Sequence, residues 1–469
     1  MVFSSLAFLY LFLPIVLSLY FISGKRMKNI ILFVSGLVFY AWGEPVYVLI
    51  MILSTVIDYT AGRIMHKYDD KPKIRTLVLL VSVCMNLGLL SIFKYSSFFI
   101  QNVNNIFGTS FNDPQLPLPI GISFYTFQSM SYTIDLYMRN IKVQKNIINF
   151  TTYVTLFPQI VAGPIVRYAD VEEEIDGRKV SVDMVGYGAG IFLKGLAKKV
   201  LLANNIGMLW TEVKAMDYSE ISAFTAWLGI LAFAFQIYFD FSGYSDMAVG
   251  LGKILGFNFP ENFDYPYMSK SVSEFWRRWH ITLGTWFRLY VYYPLGGNRK
   301  GLPRTIINLA IVWTLTGLWH GASWNFVLWG MYFGVLIIIE KLFLGDILKK
   351  IPPAISTIYT FLAVLFGWVL FDTNTLTDAA RYLKAMFGGT GIGIDSLSLY
   401  QLSSYFIIMI ICIFASTDLF KTFVNGIKEY KITFRAYKIS LPIIQVVIML
   451  LCTAYLVDST YNPFLYFRF

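Results

Sequence analysis

Two histidines stand inside otherwise apolar stretches of the chain, and both have the chemistry to move protons. His280 closes a run rich in tryptophan and arginine, and His320 interrupts an apolar run without charge from 306 to 339. An imidazole has an ordinary pKa of about 6.5, so it can remove the proton of a hydroxyl group at neutral pH. We predict that His320 is a general base for a hydroxyl acceptor and that His280 assists it. The alternatives are a neutral His320 satisfied by a neighbouring hydroxyl, and a His280 that only orients other groups.

Charged residues near the histidines have two interpretations each. Four arginines follow or flank His280 and can bind either an anionic group such as a phosphate or lipid headgroups; they are Arg277, Arg278, Arg288 and Arg299. Asp240 and Asp246 are either proton-relay residues or buried carboxyls satisfied by polar neighbours, and the second interpretation is preferred. The lysines from Lys194 to Lys199 are expected in a cytoplasmic segment.

Two different elements must position the histidines. The residues from Ser273 to Tyr290 place charged side chains on one side of a helical projection and aromatic ones on the other, which predicts an interfacial helix at a shallow angle to the membrane. The charge-free run around His320 is too long for one crossing of a hydrocarbon core of about 30 Å. We expect it to break after His320, with Gly321 ending one helix and Ser323 capping the next.

Composition places the chain in the membrane. Of its 469 residues 57% are hydrophobic and 14% are charged, which leaves too little polar surface for a water-soluble protein of this size. The net charge of +10 comes from short clusters between apolar runs, as the positive-inside rule predicts, and does not indicate nucleic-acid binding. The three cysteines lie in separate apolar runs, so neither a disulfide framework nor a metal site is indicated.

The sequence predicts an all-α, polytopic integral membrane protein that forms a single domain over residues 1–469. We expect about eleven transmembrane helices plus re-entrant and interfacial helices. Residues 146–202 contain prolines and glycine and predict a broken or re-entrant element, and residues 101–117 predict a polar link. Basic loops at 63–75 and 139–145 are expected in the cytoplasm, which places the N-terminus outside.

Five stretches together resemble one family. They are QIYFDFSGYSDMAVGLGKILGFNFPENFDYPY (236–267), SVSEFWRRWHITLGTWFRLYVYYPLGGNR (271–299), LTGLWHGASWNFVLWG (315–330), FPQIVAGPIVRY (157–168) and the terminal NPFLYFRF. These motifs are similar to those of the membrane-bound O-acyltransferase superfamily, in particular its bacterial alginate O-acetylation branch. The resemblance implies a helical core around a central tunnel, with His320 and His280 as the family's two histidines. It also implies that residues beside them bind the donor or line the tunnel; these are Trp276, Arg277, Arg278, Trp279, Trp319, Ser323, Asn325 and Asp240.

The resemblance and the histidine chemistry imply the same reaction. An acyl group, here acetyl, passes from a cytoplasmic thioester donor, expected to be acetyl-CoA, across the bacterial cytoplasmic (inner) membrane to an envelope polysaccharide. The resemblance also implies an extracytoplasmic partner acetyltransferase similar to SGNH hydrolases, besides membrane lipids; no bound cofactor or metal is expected, and the oligomeric state is left open. A transporter or flippase for an envelope glycan precursor is the alternative, because intramembrane Asp and His residues also suit transport. A scaffold without catalytic activity is the third possibility, but it leaves the two histidine stretches unexplained.

Overall fold

Long apolar stretches with few internal prolines fold as helices throughout the computed structural model, which describes residues 1–429 and 431–458. That part of the chain contains no β-strand, only an isolated bridge between Phe263 and Trp279. Among the described residues, the helical stretches that are long and apolar enough to cross a membrane are seven: Val48–Lys67, Pro72–Phe107, Ala223–Leu255, Trp324–Leu348, Pro353–Asp372, Ser396–Ala415 and Ile439–Asp458. The predicted all-α membrane fold is confirmed, whereas the count of eleven spans is not.

The chain forms two compact units, and the prediction of one domain remains a prediction. Unit 1 comprises residues 1–192, 245–261 and 288–290. Its helices begin with α1 (Leu13–Ile22), α2 (Lys25–Ala41), α3 (Val48–Lys67), α4 (Pro72–Phe107), α5 (Ile122–Tyr137), α6 (Ile147–Thr155) and α7 (Tyr168–Gly177). The next helix, α8 (Val182–Ala197), contains residues of both units.

Unit 2 comprises residues 193–244, 262–287 and 291–469. Its helices are α9 (Asn204–Lys214), α10 (Ala223–Leu255, which also contains residues of unit 1), α11 (Val272–Arg278), α12 (Ile281–Phe287), α13 (Gly301–His320), α14 (Trp324–Ile339), α15 (Gly345–Leu348), α16 (Pro353–Asp372), α17 (Leu376–Met386), α18 (Ser396–Ala415), α19 (Leu419–Glu429) and α20 (Lys431–Asp458). The terminal NPFLYFRF motif lies outside the described residues.

Two boundaries in unit 1 differ in how well the sequence predicted them. The polar link expected from residue 101 is wrong at its start, because α4 continues as a helix to Phe107. The broken element is confirmed, since α6 ends at Thr155 and the chain is irregular until α7 begins at Tyr168. Residues 156–166 are buried, so this irregular backbone is enclosed by protein.

The single amphipathic helix expected from Ser273 to Tyr290 is wrong. The chain forms α11 and α12, of seven residues each, and breaks at His280, whose φ of +45° is left-handed. The physical reason is a non-local backbone pairing: the amide of Asp264 donates to the Arg278 carbonyl, and the amide of Ile281 donates to the Asn262 carbonyl. Neither helix is long enough to cross a membrane core. The shallow angle to the membrane stays a prediction.

The break after His320 is confirmed. Helix α13 ends at His320, Gly321 is extended, and α14 begins at Trp324 with Ser323 in the N-cap position. The Ser323 side chain makes no cap hydrogen bond, so that detail of the prediction is wrong.

Two glycines let α13 and α14 approach each other closely. A Cβ atom on Gly317 would collide with the carbonyl of Phe326, and one on Gly330 would collide with the carbonyl of Trp313. Backbone atoms on a packed helix cannot move aside as a flexible side chain can. The pair therefore fixes the helix that carries His320 against α14.

We predict that Gly317→Ala lowers the free energy of unfolding of the detergent-solubilised protein by about 1–3 kcal/mol, because the added methyl group overpacks the contact. Its melting temperature should therefore fall. Gly88→Ala is the matched control: Gly88 also lies inside a helix, and a Cβ there meets nothing within 4 Å. It should leave the melting temperature unchanged or raise it. Equal melting temperatures for the two variants would contradict the close packing.

Candidate active site

His280 is held by Asn262 in one defined tautomer. The Asn262 Oδ1 atom lies 3.2 Å from the Thr282 backbone nitrogen, 3.0 Å from Thr282 Oγ1 and 3.1 Å from His280 Nδ1. A backbone amide can only donate, so the Asn262 atom is an oxygen that accepts. His280 Nδ1 therefore carries the proton, and the lone pair lies on Nε2.

The His280 ring is also almost completely enclosed. It is 2% exposed, and the Phe241 ring meets it edge-on with 4.8 Å between the ring centroids. Burial lowers the pKa of His280 to about 3. The imidazole is therefore neutral at neutral pH, and it is a weaker base than an ordinary histidine.

His320 lies in a pocket of aromatic rings within unit 2. Its ring centroid is 4.9 Å from that of Trp319, 4.9 Å from that of Trp329 and 5.4 Å from that of Phe371. Only 5% of the residue is exposed, so the ring faces protein and not lipid. A tunnel that reaches His320 from both sides of the membrane stays a prediction.

Trp319 brings the two histidines into one site. Its ring centroid is 5.8 Å from that of His280 and 4.9 Å from that of His320. The two histidines are 40 positions apart in sequence, His280 between α11 and α12 and His320 at the end of α13, so only the fold brings them near one tryptophan. Both imidazoles therefore contact the same tryptophan ring.

The predicted tryptophans beside His280 are part of the aromatic core. Trp276 packs against Trp313 and Phe333, with 4.9 Å between the centroids in each case. Trp279 packs against Trp368 at 5.0 Å. These contacts hold α11 in place, and any contact of the two tryptophans with a donor stays a prediction.

The remaining predicted residues differ in how they are engaged. Arg278 pairs with Glu274 at 2.9 Å and with Asp264 at 3.4 Å, whereas Arg277 is exposed. The Asn325 side-chain amide donates to the Thr373 carbonyl at 2.7 Å. Of the two arginines, Arg277 is therefore the better placed to meet a soluble anion.

Comparison with known proteins shows the family of this chain. The model of the membrane-bound O-acyltransferase family matches residues 121–369, a range that contains both histidines and Asn262. The chain belongs to this family. It is 37% identical to "Probable alginate O-acetylase AlgI" of Pseudomonas putida, over 100% of both chains. It is 31% identical to "Peptidoglycan O-acetyltransferase" of Helicobacter pylori, over 85% of this chain and 82% of that protein.

A more distant relative is named for the transfer of a D-alanyl group instead of an acetyl group. "Teichoic acid D-alanyltransferase" of Streptococcus thermophilus is 29% identical over 54% of this chain and 68% of that protein. The family and these relatives identify the chain as a membrane-spanning O-acyltransferase. The transporter and scaffold alternatives therefore have no support.

A buried ion pair in this acyltransferase was missed by the sequence analysis. Lys199 Nζ lies 2.7 Å from Asp240 Oδ1, and each side chain is 3% exposed. The sequence analysis expected Lys199 in a cytoplasmic segment; its side chain is buried in an ion pair, and the side of the membrane stays a prediction. Asp240 is followed on α10 by Phe241, whose ring packs on His280. The ion pair therefore helps to fix one wall of the site.

Asn262 was also missed, although it stands in one of the five motifs. Its place in an irregular stretch gave no helical or strand pattern by which to judge its neighbours. An acidic residue in an apolar helix, such as Asp240, does signal that a cation should lie near it. Nothing in the sequence selects Lys199 from the lysines around it.

Within the described part of the chain, no group of three or more His, Cys, Asp or Glu side chains is placed to hold a metal ion.

We predict that Lys199→Met lowers the stability of the folded protein by about 3–5 kcal/mol, because it leaves the Asp240 charge buried and unpaired. The double variant Lys199→Met/Asp240→Leu should recover much of that loss, since no charge remains. Thermal unfolding of the four proteins of this cycle measures the coupling. Additive losses would show that the two groups do not interact.

Proposed function

We propose that this O-acyltransferase transfers an acetyl group from cytoplasmic acetyl-CoA toward the hydroxyl groups of an envelope polysaccharide. The observation that carries the proposal is the pair of buried histidines whose rings both contact Trp319. The names of two relatives, an alginate O-acetylase and a peptidoglycan O-acetyltransferase, support the acetyl group and the envelope acceptor.

In the proposed reaction His320 is the general base. Its imidazole accepts the proton of the acceptor hydroxyl while that oxygen attacks the thioester carbonyl carbon. The carbon–sulfur bond then breaks, and the sulfur takes the proton from the imidazole and leaves as a thiol. The aromatic rings around His320 keep water from the thioester, which would otherwise be hydrolysed.

The proposed role of His280 is to position a group and not to take its proton. Its neutral ring offers the Nε2 lone pair as a hydrogen-bond acceptor, in an orientation fixed by Asn262. A base works best when its pKa is close to the operating pH, and burial has moved the pKa of His280 far below that range. This supports the positioning role of His280.

We place the donor on the cytoplasmic side of the inner membrane and the N-terminus outside. Support comes from unit 1, where the two basic loops meet: Arg139 of the second loop pairs with Asp69 of the first at 3.3 Å. Loops that touch lie on the same side, as the charge pattern predicts. An extracytoplasmic partner acetyltransferase is proposed to place the group on the final sugar.

We predict that His320→Ala abolishes acetyl transfer while the protein still folds and inserts in the membrane. Loss of a general base costs roughly 10²–10⁴ in rate, so the effect should reach that range. His280→Ala should fall short of it, because it removes only positioning. The measurement is envelope O-acetylation in a deletion strain that carries each variant at matched protein level.

The two variants also test the assignment against each other. Normal acetylation with His320→Ala would sink the proposed mechanism. A larger loss with His280→Ala than with His320→Ala would instead exchange the two roles.

We predict that Arg277→Gln raises the KM for acetyl-CoA roughly ten-fold with little change in kcat, because a charge-assisted contact to a donor phosphate is lost in substrate and transition state alike. Lys349→Gln is the control for a lost surface charge, since Lys349 is 78% exposed and pairs only with Asp346 among the described residues. Steady-state kinetics in detergent measure both. An unchanged KM assigns Arg277 to lipid headgroups.

A further inference from the structure

A basic cavity lies in unit 1, at the end where α3, α4 and α5 present their loops. It encloses about 400 Å³, which is within the usual range of small-molecule sites of roughly 300–1,000 Å³. Its charged and titratable lining residues are His66, Asp69, Arg75, Arg139, Lys142 and Lys145. Four permanent cations thus face one carboxylate across a concave surface.

That one carboxylate, of Asp69, already forms ion pairs with two arginines. Asp69 Oδ1 lies 2.7 Å from Arg75 Nη1 and 3.3 Å from Arg139 Nη2. Arg75 is 5% exposed, and its Nη2 atom donates to the carbonyls of Leu136 and Tyr137 at the end of α5. Arg75 and Asp69 therefore build the wall of the cavity.

The other cations are held at the cavity by the fold. Lys142 is anchored through its backbone amide, which donates to Glu172 Oε1 at 3.0 Å. The backbone carbonyl of Lys145 accepts from Tyr59 Oη at 2.7 Å. In the chain as described, neither lysine ammonium pairs with a carboxylate. The loop backbone is thus fixed, and both lysine side chains line the cavity while remaining exposed to solvent.

Arg139 lies just after the end of α5 and lines the cavity. Its φ of +63° is left-handed, and the amide of the next residue, Asn140, donates to the Asp135 carbonyl at 2.9 Å, which caps the helix. Glycine adopts this conformation without strain, whereas an arginine there is strained. A glycine at position 139 is therefore compatible with the fold.

We propose that this cavity binds the phosphate group of an anionic ligand, held by Arg139, Lys142 and Lys145. Guanidinium and ammonium groups that line one cavity match the several acceptor oxygens of a phosphate. The phosphate can belong to a soluble molecule or to a lipid headgroup, and the experiment separates these sources. The inference concerns binding alone and holds whatever group the enzyme transfers.

The test uses the full chain in nanodiscs of two compositions. In neutral phosphatidylcholine discs, pyrophosphate binding is measured by calorimetry. In a second set without pyrophosphate, the rise in melting temperature caused by phosphatidylglycerol is measured. Arg139→Gly is the main variant because glycine relieves the left-handed strain, so this protein should fold at least as well as the wild type. Lys142→Gln/Lys145→Gln is the second variant, and Lys73→Gln, an exposed lysine near the cavity but not in its lining, is the control.

Each result decides the proposal. We expect the two cavity variants to weaken binding about ten-fold, as loss of charge-assisted contacts does, while Lys73→Gln changes it little. Pyrophosphate binding with this pattern supports a soluble ligand, and phosphatidylglycerol stabilisation with this pattern supports a lipid. Absence of both effects in the wild type overturns the proposal. So does a loss with Lys73→Gln equal to that of the cavity variants, because it would reflect general surface charge.

Discussion

Burial obliges the polar side chains of unit 2 to bond to other protein groups, and those bonds determine where the two histidines lie. Glu340, 6% exposed, accepts the first amides of α11, from Val272 at 2.6 Å and from Ser273 at 2.9 Å. This joins the start of the helix before His280 to the end of the helix after His320. A carboxylate at a helix N-terminus is also favoured by the helix dipole. The histidine site depends on such pairings because an unmet polar group in this interior is costly.

The break at His320 could be read from the sequence, and the break at His280 could not. At His320 the causes are local: an apolar run longer than one membrane crossing, followed by Gly321. At His280 the cause is a backbone pairing with Asn262 and Asp264, many residues earlier in the chain. A helical projection assumes that the helix continues, so it has no means of registering hydrogen bonds from a distant segment.

The sequence predicted which residues belong to the site better than it predicted their contacts. The two histidines were found because an imidazole is unusual in an apolar run, and the fold places both beside Trp319. Trp276 and Trp279 show where the sequence-based prediction ends. A tryptophan that packs in a core and one that lines a tunnel look the same in a sequence. Lys199 is a second example. It is buried because it pairs with Asp240 on α10, and the sequence does not show that these two residues are neighbours.

The surroundings of the two histidines give them different chemistry. Asn262 Oδ1 receives three donors, and its carbonyl fixes the proton on His280 Nδ1. A second proton on Nε2 would place a positive charge beside the ring of Phe241 in a buried position, which is why burial lowers the pKa of His280. A residue that resists protonation serves well as a hydrogen-bond acceptor and badly as a proton carrier. Under the proposed reaction, His320 takes the proton, and the fixed tautomer of His280 orients the group that loses it.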